Sequence, residues 1–131
     1  MKINDEIELR ILNVLLIQAR FYDNNYDRKD YYGSPFTGKI HKKIIDALQK
    51  IKSSNGKLMY YQNESDFLIE KYHDCHIWIE NIKKHITNID EWSKLSLENK
   101  EGVIHDFIYP FILSQETIKD LCSLKKGQSS S

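Results

Sequence analysis

Half of the usual signposts of chemistry are missing from this chain of 131 residues, and each absence excludes something. Only two cysteines are present, Cys75 and Cys122, neither in a Cys-x-x-Cys pair. Both fall in apolar helical patterns, which points to buried free thiols rather than a disulfide framework, and so to a reducing compartment. The five glycines are scattered, so no glycine-rich loop cradles a phosphate, and no Gly-x-Ser-x-Gly elbow raises a nucleophile. Neither sign of charge is in excess, with 19 Lys and Arg against 19 Asp and Glu. No whole-molecule field therefore steers nucleic acid or acidic lipid toward the protein. Long apolar runs are also missing. The stretch ILNVLLI, Ile11 to Ile17, is interrupted by Asn13, whereas a membrane-spanning helix needs about 20 apolar residues. Asp5, Glu6, Glu8 and Arg10 stand where a signal peptide's basic segment would give way to its apolar run. The expectation is a cytosolic protein with no membrane association.

What is present is helical periodicity. The length suits one domain, which buries roughly two-thirds of its unfolded surface without staples. Residues 1–124 read as a single helical domain, and KKGQSSS, 125–131, as a disordered tail. A first helix is predicted from about Asn4 to Tyr22, capped by Asn4 or Asp5. It carries two apolar stripes: Ile7, Ile11, Val14 and Leu15, and nearly opposite them Leu9, Leu12 and Leu16. A helix apolar on most sides is buried on most sides, which places it centrally or at a homodimer contact. Ser34 and Pro35 open a second helix, with Ile40, Ile44, Ala47, Leu48 and Ile51 inside and Asn55-Gly56 ending it. The third is predicted as one seam of about six turns, Leu68, Tyr72, Cys75, Ile79, Ile82, Ile86 and Ile89, with Glu64 and Asp66 in its first turn. Trp92 belongs to a short turn. A fourth helix follows Ser96 and ends or kinks at Pro110; a fifth is capped by Ser114, with Ile118, Leu121 and Cys122 inward. The run FIYPFIL between them needs cover, expected from the first helix. The fold class is thus all-α, a bundle of about five helices with a long tyrosine-rich loop between the first two.

Glu70 and His73 form a Glu-x-x-His pair, the motif from which di-metal bundles build their sites. With Leu68 at zero and about 100° per residue, the seam stays within about 60°, while Glu70 falls near ~200°, His73 near ~140°, His76 near ~80° and Glu80 near ~120°. These groups lie off the core face, and Glu101 and His105 are spaced by four rather than three. A solvated histidine pair is the favoured reading, with no metal, cofactor or catalytic residue expected. Cys75 lies on the seam, where a thiol stays protonated. On the same wheel Ile69 and Ile77 point away from the core and Trp78 sits at its edge. The second helix carries Lys39, Lys42, Lys43 and Lys50 on one face, a surface that could contact phosphates. A solubilising face is the favoured reading, since arginine, the better reader of bases and phosphates, is absent from it.

The stretch FYDNNYDRKDYYGSPF, Phe21 to Phe36, looks like neither helix nor strand. Tyr26, Tyr31 and Tyr32 cluster there, and Tyr60 and Tyr61 stand in the other long connection. Tyrosine offers large contact area at little rotamer cost, and binding surfaces are enriched in it. Asp23, Asp27 and Asp30 add acceptors suited to a cationic partner. The expected function is a non-catalytic protein-binding inhibitor, with these eight residues contacting a basic toxin or enzyme. In style the chain resembles the small single-domain immunity proteins that bacteria make against toxins, and its Ile-, Lys- and Asn-rich composition hints at an AT-rich gene. Two alternatives are a nucleic-acid-binding regulator using the lysine face and a helical-bundle metalloprotein using Glu70, His73, His76 and His105.

Overall fold

The computed structural model describes residues 6–22, 35–54 and 63–125. Within them the chain forms α1 (Glu6–Ile17) running into a wider π turn (Gln18–Tyr22), then α2 (Pro35–Ser54), α3 (Cys75–Thr87), α4 (Leu97–Ile108) and α5 (Gln115–Cys122). Short 3-10 turns at Glu64–Phe67, Ile69–Lys71 and Trp92–Lys94 complete the order. The protein is an all-α bundle, with no strand among the described residues.

Local chemistry accounts for several boundaries. Ser96 accepts from the Asn99 amide at 3.1 Å to start α4, and Ser114 accepts from the Thr117 amide at 3.3 Å to start α5. Each satisfies one of the orphan donors of a first turn. At the other end of α5, Lys100 donates from Nζ to the Cys122 carbonyl at 2.9 Å, where a cation suits the helix dipole. After α4 the backbone turns extended at Tyr109, and the Tyr109–Pro110 peptide is cis.

The main core combines isoleucines and leucines with a cluster of aromatic rings. The Phe21 ring stacks on Trp78 at 4.6 Å and meets Phe111 edge-on at 5.6 Å. Tyr72, Phe67, Trp78 and His41 also surround Phe111. The FIYPFIL run is therefore covered by the π turn that continues α1, together with α2, α3 and the 67–72 segment. A second, smaller cluster forms between α1 and α2 from Leu9, Ile44 and Leu48, with Leu12, Leu16, Ala47 and Ile51 around it.

Three expectations are corrected. The predicted third helix is broken: Leu68 and Tyr72 are extended, and only Cys75–Thr87 is α-helical. The cause is a long-range pairing. The Ile69 amide donates to the Ile112 carbonyl at 2.9 Å, and the Ile112 amide donates to the Phe67 carbonyl at 3.0 Å. This turns Ile69 fully inward and leaves Cys75 only half-buried, while Trp78 is buried rather than at the edge. Second, α1 is not central. One face packs on α2, and the stripe Ile7, Ile11, Val14 and Leu15 faces outward. Third, the inner face of α2 is rotated toward His41, Ile45 and Lys52, so Ile40 at its edge is exposed. Ser34, Asn55, Gly56 and the proposed tail beyond Lys125 lie outside the described residues.

Candidate functional site

α1 carries two apolar faces about 180° apart around the helix axis. Leu9 is buried against Ile44 and Leu48, and Leu12 and Leu16 flank it. Opposite, Ile7, Ile11, Val14 and Leu15 are each between 53 % and 63 % exposed. With Arg10 they line a shallow groove that runs about 12 Å along the helix. An ordinary surface helix needs one apolar stripe, toward the core. Here the second stripe leaves four neighbouring aliphatic side chains more than half exposed, and a contiguous exposed apolar patch is often functional. Glu8 and Arg10 flank it on either side of the helix, which leaves its centre free of charge. Such a face offers aliphatic surface for apolar burial.

The strongly perturbed titratable groups lie elsewhere and are committed to structural bonds. Arg20, in the π turn, is fully buried. Its Nη1 donates to His41 Nδ1 at 2.9 Å and its Nη2 to the Phe107 carbonyl at 2.7 Å. Because Arg20 only donates, His41 Nδ1 must accept, so the ring proton sits on Nε2 and is given to Asn13 Oδ1 at 2.7 Å. Burial, reinforced by the nearby guanidinium, pushes His41 down to about 3, and burial brings Arg20 down to about 10. At neutral pH the pair is one neutral imidazole and one cation. Glu70 is equally engaged: its carboxylate accepts from the Ser114 amide at 2.9 Å and from the Thr117 hydroxyl at 2.8 Å. It closes the N-terminus of α5.

The other sequence-predicted groups do not converge. His73, His76 and His105 are exposed and lie apart from the bonded Glu70. Among the described residues no group of three His, Cys, Asp or Glu side chains is placed to hold a metal ion. Of the α2 lysines, Lys42 pairs with Asp46 and Lys39 lies over the Phe36 ring at 5.5 Å. Tyr26, Tyr31, Tyr32, Tyr60, Tyr61, Asp23, Asp27 and Asp30 all lie outside the described residues. No helix among the described residues is long and apolar enough to cross a membrane.

Sequence reasoning missed the Asn13–His41–Arg20 relay. A signal for it existed: His41 shares helical spacing with Ile44, Ile45 and Leu48, and Arg20 shares the inward face of α1 with Leu9 and Leu16. In comparison with known proteins, no family model, no curated protein and no solved structure matches this chain.

Proposed function

We propose that this protein is a non-catalytic binding protein that neutralises a protein partner, most concretely a cognate bacterial toxin, by covering its active surface. The observation that carries this reading is the outward apolar stripe of α1. A helix already seated on α2 through Leu9 gains nothing in its own fold from Ile7, Ile11, Val14 and Leu15. Burying those four side chains against a partner removes aliphatic surface from water, and what exceeds the cost of association appears as affinity. The tyrosines and aspartates of the 23–32 segment would add aromatic anchors and an acidic complement to a basic cleft. Free Cys75 and Cys122 fit action in a reducing cytosol.

The test is a titration of the purified protein against the purified product of the gene adjacent to its own. The double substitution Ile11→Glu, Leu15→Glu removes the apolar centre without touching the core. It is expected to weaken binding at least 100-fold while the thermal midpoint stays within a few degrees. Tyr31→Ala and Tyr32→Ala should each weaken the complex without unfolding the protein. Unchanged affinity in the double variant removes α1 from the interface. Light scattering on the free protein provides the competing outcome: a dimer dissolved by the same double substitution would assign the stripe to self-association.

A further inference from the structure

We propose that the Asn13–His41–Arg20 relay is a proton-sensitive latch: protonating His41 at Nδ1 releases α1 from α2 while the aromatic core stays folded. The latch stands on the fold alone; only its consequence for partner binding rests on the docking reading above.

The geometry leaves His41 one arrangement. Nδ1 accepts from Arg20 at 2.9 Å, and Nε2 donates to Asn13. A proton arriving at Nδ1 takes the lone pair that Arg20 uses. It leaves an N–H facing an N–H, and an imidazolium beside a guanidinium. Among the described residues nothing offsets the second charge. From α1 and its π turn the groups facing His41 are neutral Asn13 and cationic Arg20. α4 presents the Phe107 carbonyl, which Arg20 already occupies, and the segment after α4 presents the Phe111 ring at 5.4 Å. On α2 itself, Lys42 is turned to Asp46. No carboxylate among the described residues faces either cation. Arg20 Nε is buried without an acceptor, so the site is short of acceptors before any proton arrives.

Release is directed to α1 because of how the apolar contacts divide. Residues 9–16 pack on a cluster of their own with Ile44 and Leu48, distinct from the aromatic core that holds Phe21, Trp78 and Phe111. Among the described residues that cluster buries three side chains against fifteen in the main core, and the less buried unit opens more readily. His41 is fully buried at the seam, so its ring takes up a proton only when α1 lifts. Acid therefore traps the open form, with the π turn as the hinge and Phe21 still seated on Trp78.

Hydrogen exchange on the intact protein tests this without any partner, at pH 7.5 and 5.0, corrected for intrinsic rates. With His41 moving from about 3 in the closed form to 6.5 in the open form, the opening of residues 9–17 is expected to rise about 30-fold at the lower pH. The amides of Ile104–Ile108 should keep their protection. His41→Gln retains an acceptor for Arg20 and a donor for Asn13 but does not titrate, so its α1 protection should be the same at both pH values. Unchanged α1 protection in the wild type overturns the latch. So does equal loss in α1 and α4, or the same loss in His41→Gln. If that variant does not fold, nitrogen shifts of the wild-type ring decide. A neutral Nε2–H imidazole persisting below pH 6 in the docked form supports the latch; an ordinary titration with α1 still protected overturns it.

Discussion

Gly38 on α2 meets the carbonyl oxygen of Tyr109 so closely that a Cβ built on the glycine would stand 2.6 Å from it. The obstacle is backbone, held where α4 ends and the chain turns toward Phe111, so it does not swing aside as a flexible side chain would. This close approach seats the start of α2 against the end of α4 and brings His41 within reach of the Phe111 ring. Gly38→Ala gains helix propensity but forces the two backbones apart. It is expected to cost about 1–3 kcal/mol net, measured by urea unfolding. Gly102 has open space around its added Cβ. On α4 the Gly102→Ala exchange should stabilise by about 0.5–1 kcal/mol, which makes it the matched control.

Glu70 ties the segment before α3 to the first turn of α5. Burial pushes its carboxyl up, but the hydrogen bonds from Ser114 and Thr117 together outweigh burial and hold it below the ordinary value. A carboxylate with a depressed folded pKa adds stability above its unfolded pKa and loses that contribution as pH falls through the folded one. Glu70→Gln is therefore expected to cost about 1 kcal/mol at pH 7. The gap to wild type should begin to narrow as pH falls below the ordinary glutamate value of about 4.3 and close only below the depressed folded value, where the wild-type side chain is itself neutral. Denaturant midpoints of both proteins at pH 7 and pH 3 measure the difference.

Glu91 holds a left-handed backbone, with φ at 63°, just before the Trp92 turn. A residue with a Cβ is strained there, and its ion pair with Lys94 at 3.8 Å is exposed on both sides and screened by water. Glu91→Gly relieves the strain and is expected to raise the thermal midpoint, by about 1 kcal/mol in stability. Glu91→Ala keeps the strain and should leave the midpoint unchanged, which separates backbone relief from removal of the charge.

Where the deciding interaction is local, the sequence is a good guide. Ser96 and Ser114 cap the helices they were expected to cap, because a serine side chain bonds to an amide three residues on. The opposed stripes of α1 are equally visible, since both are set by the pitch of one helix. What periodicity does not reveal is which stripe is covered: that depends on α2, whose buried side is chosen by Gly38, His41 and Ile45 as much as by its isoleucines. The Arg20–His41 bond joins residues 21 positions apart, and Glu70 finds Ser114 44 positions away. Such pairings leave no mark on a helical wheel. The tyrosines that suggested a binding loop lie outside the described residues.

The break before α3 gives the clearest separation between wheel and structure. On a continuous helix from Asn63 onward, Ile69 points away from the seam, and its truncation would be nearly silent. No glycine or proline interrupts residues 63–89, so the helical reading had no local objection. In the structure Ile69 is fully buried, its amide donating to the Ile112 carbonyl, while Leu68 is only half-buried beside it. The fold gives up several helical bonds in exchange for this bridge and for a larger aliphatic contact inside. Ile69→Ala is accordingly expected to destabilise by about 2–4 kcal/mol, the range for emptying a buried isoleucine site. Ile77→Ala, on the exposed side of α3, should cost less than about 0.5 kcal/mol. Equilibrium unfolding of the two variants in urea checks both values, and an order reversed from this one would restore the unbroken helix.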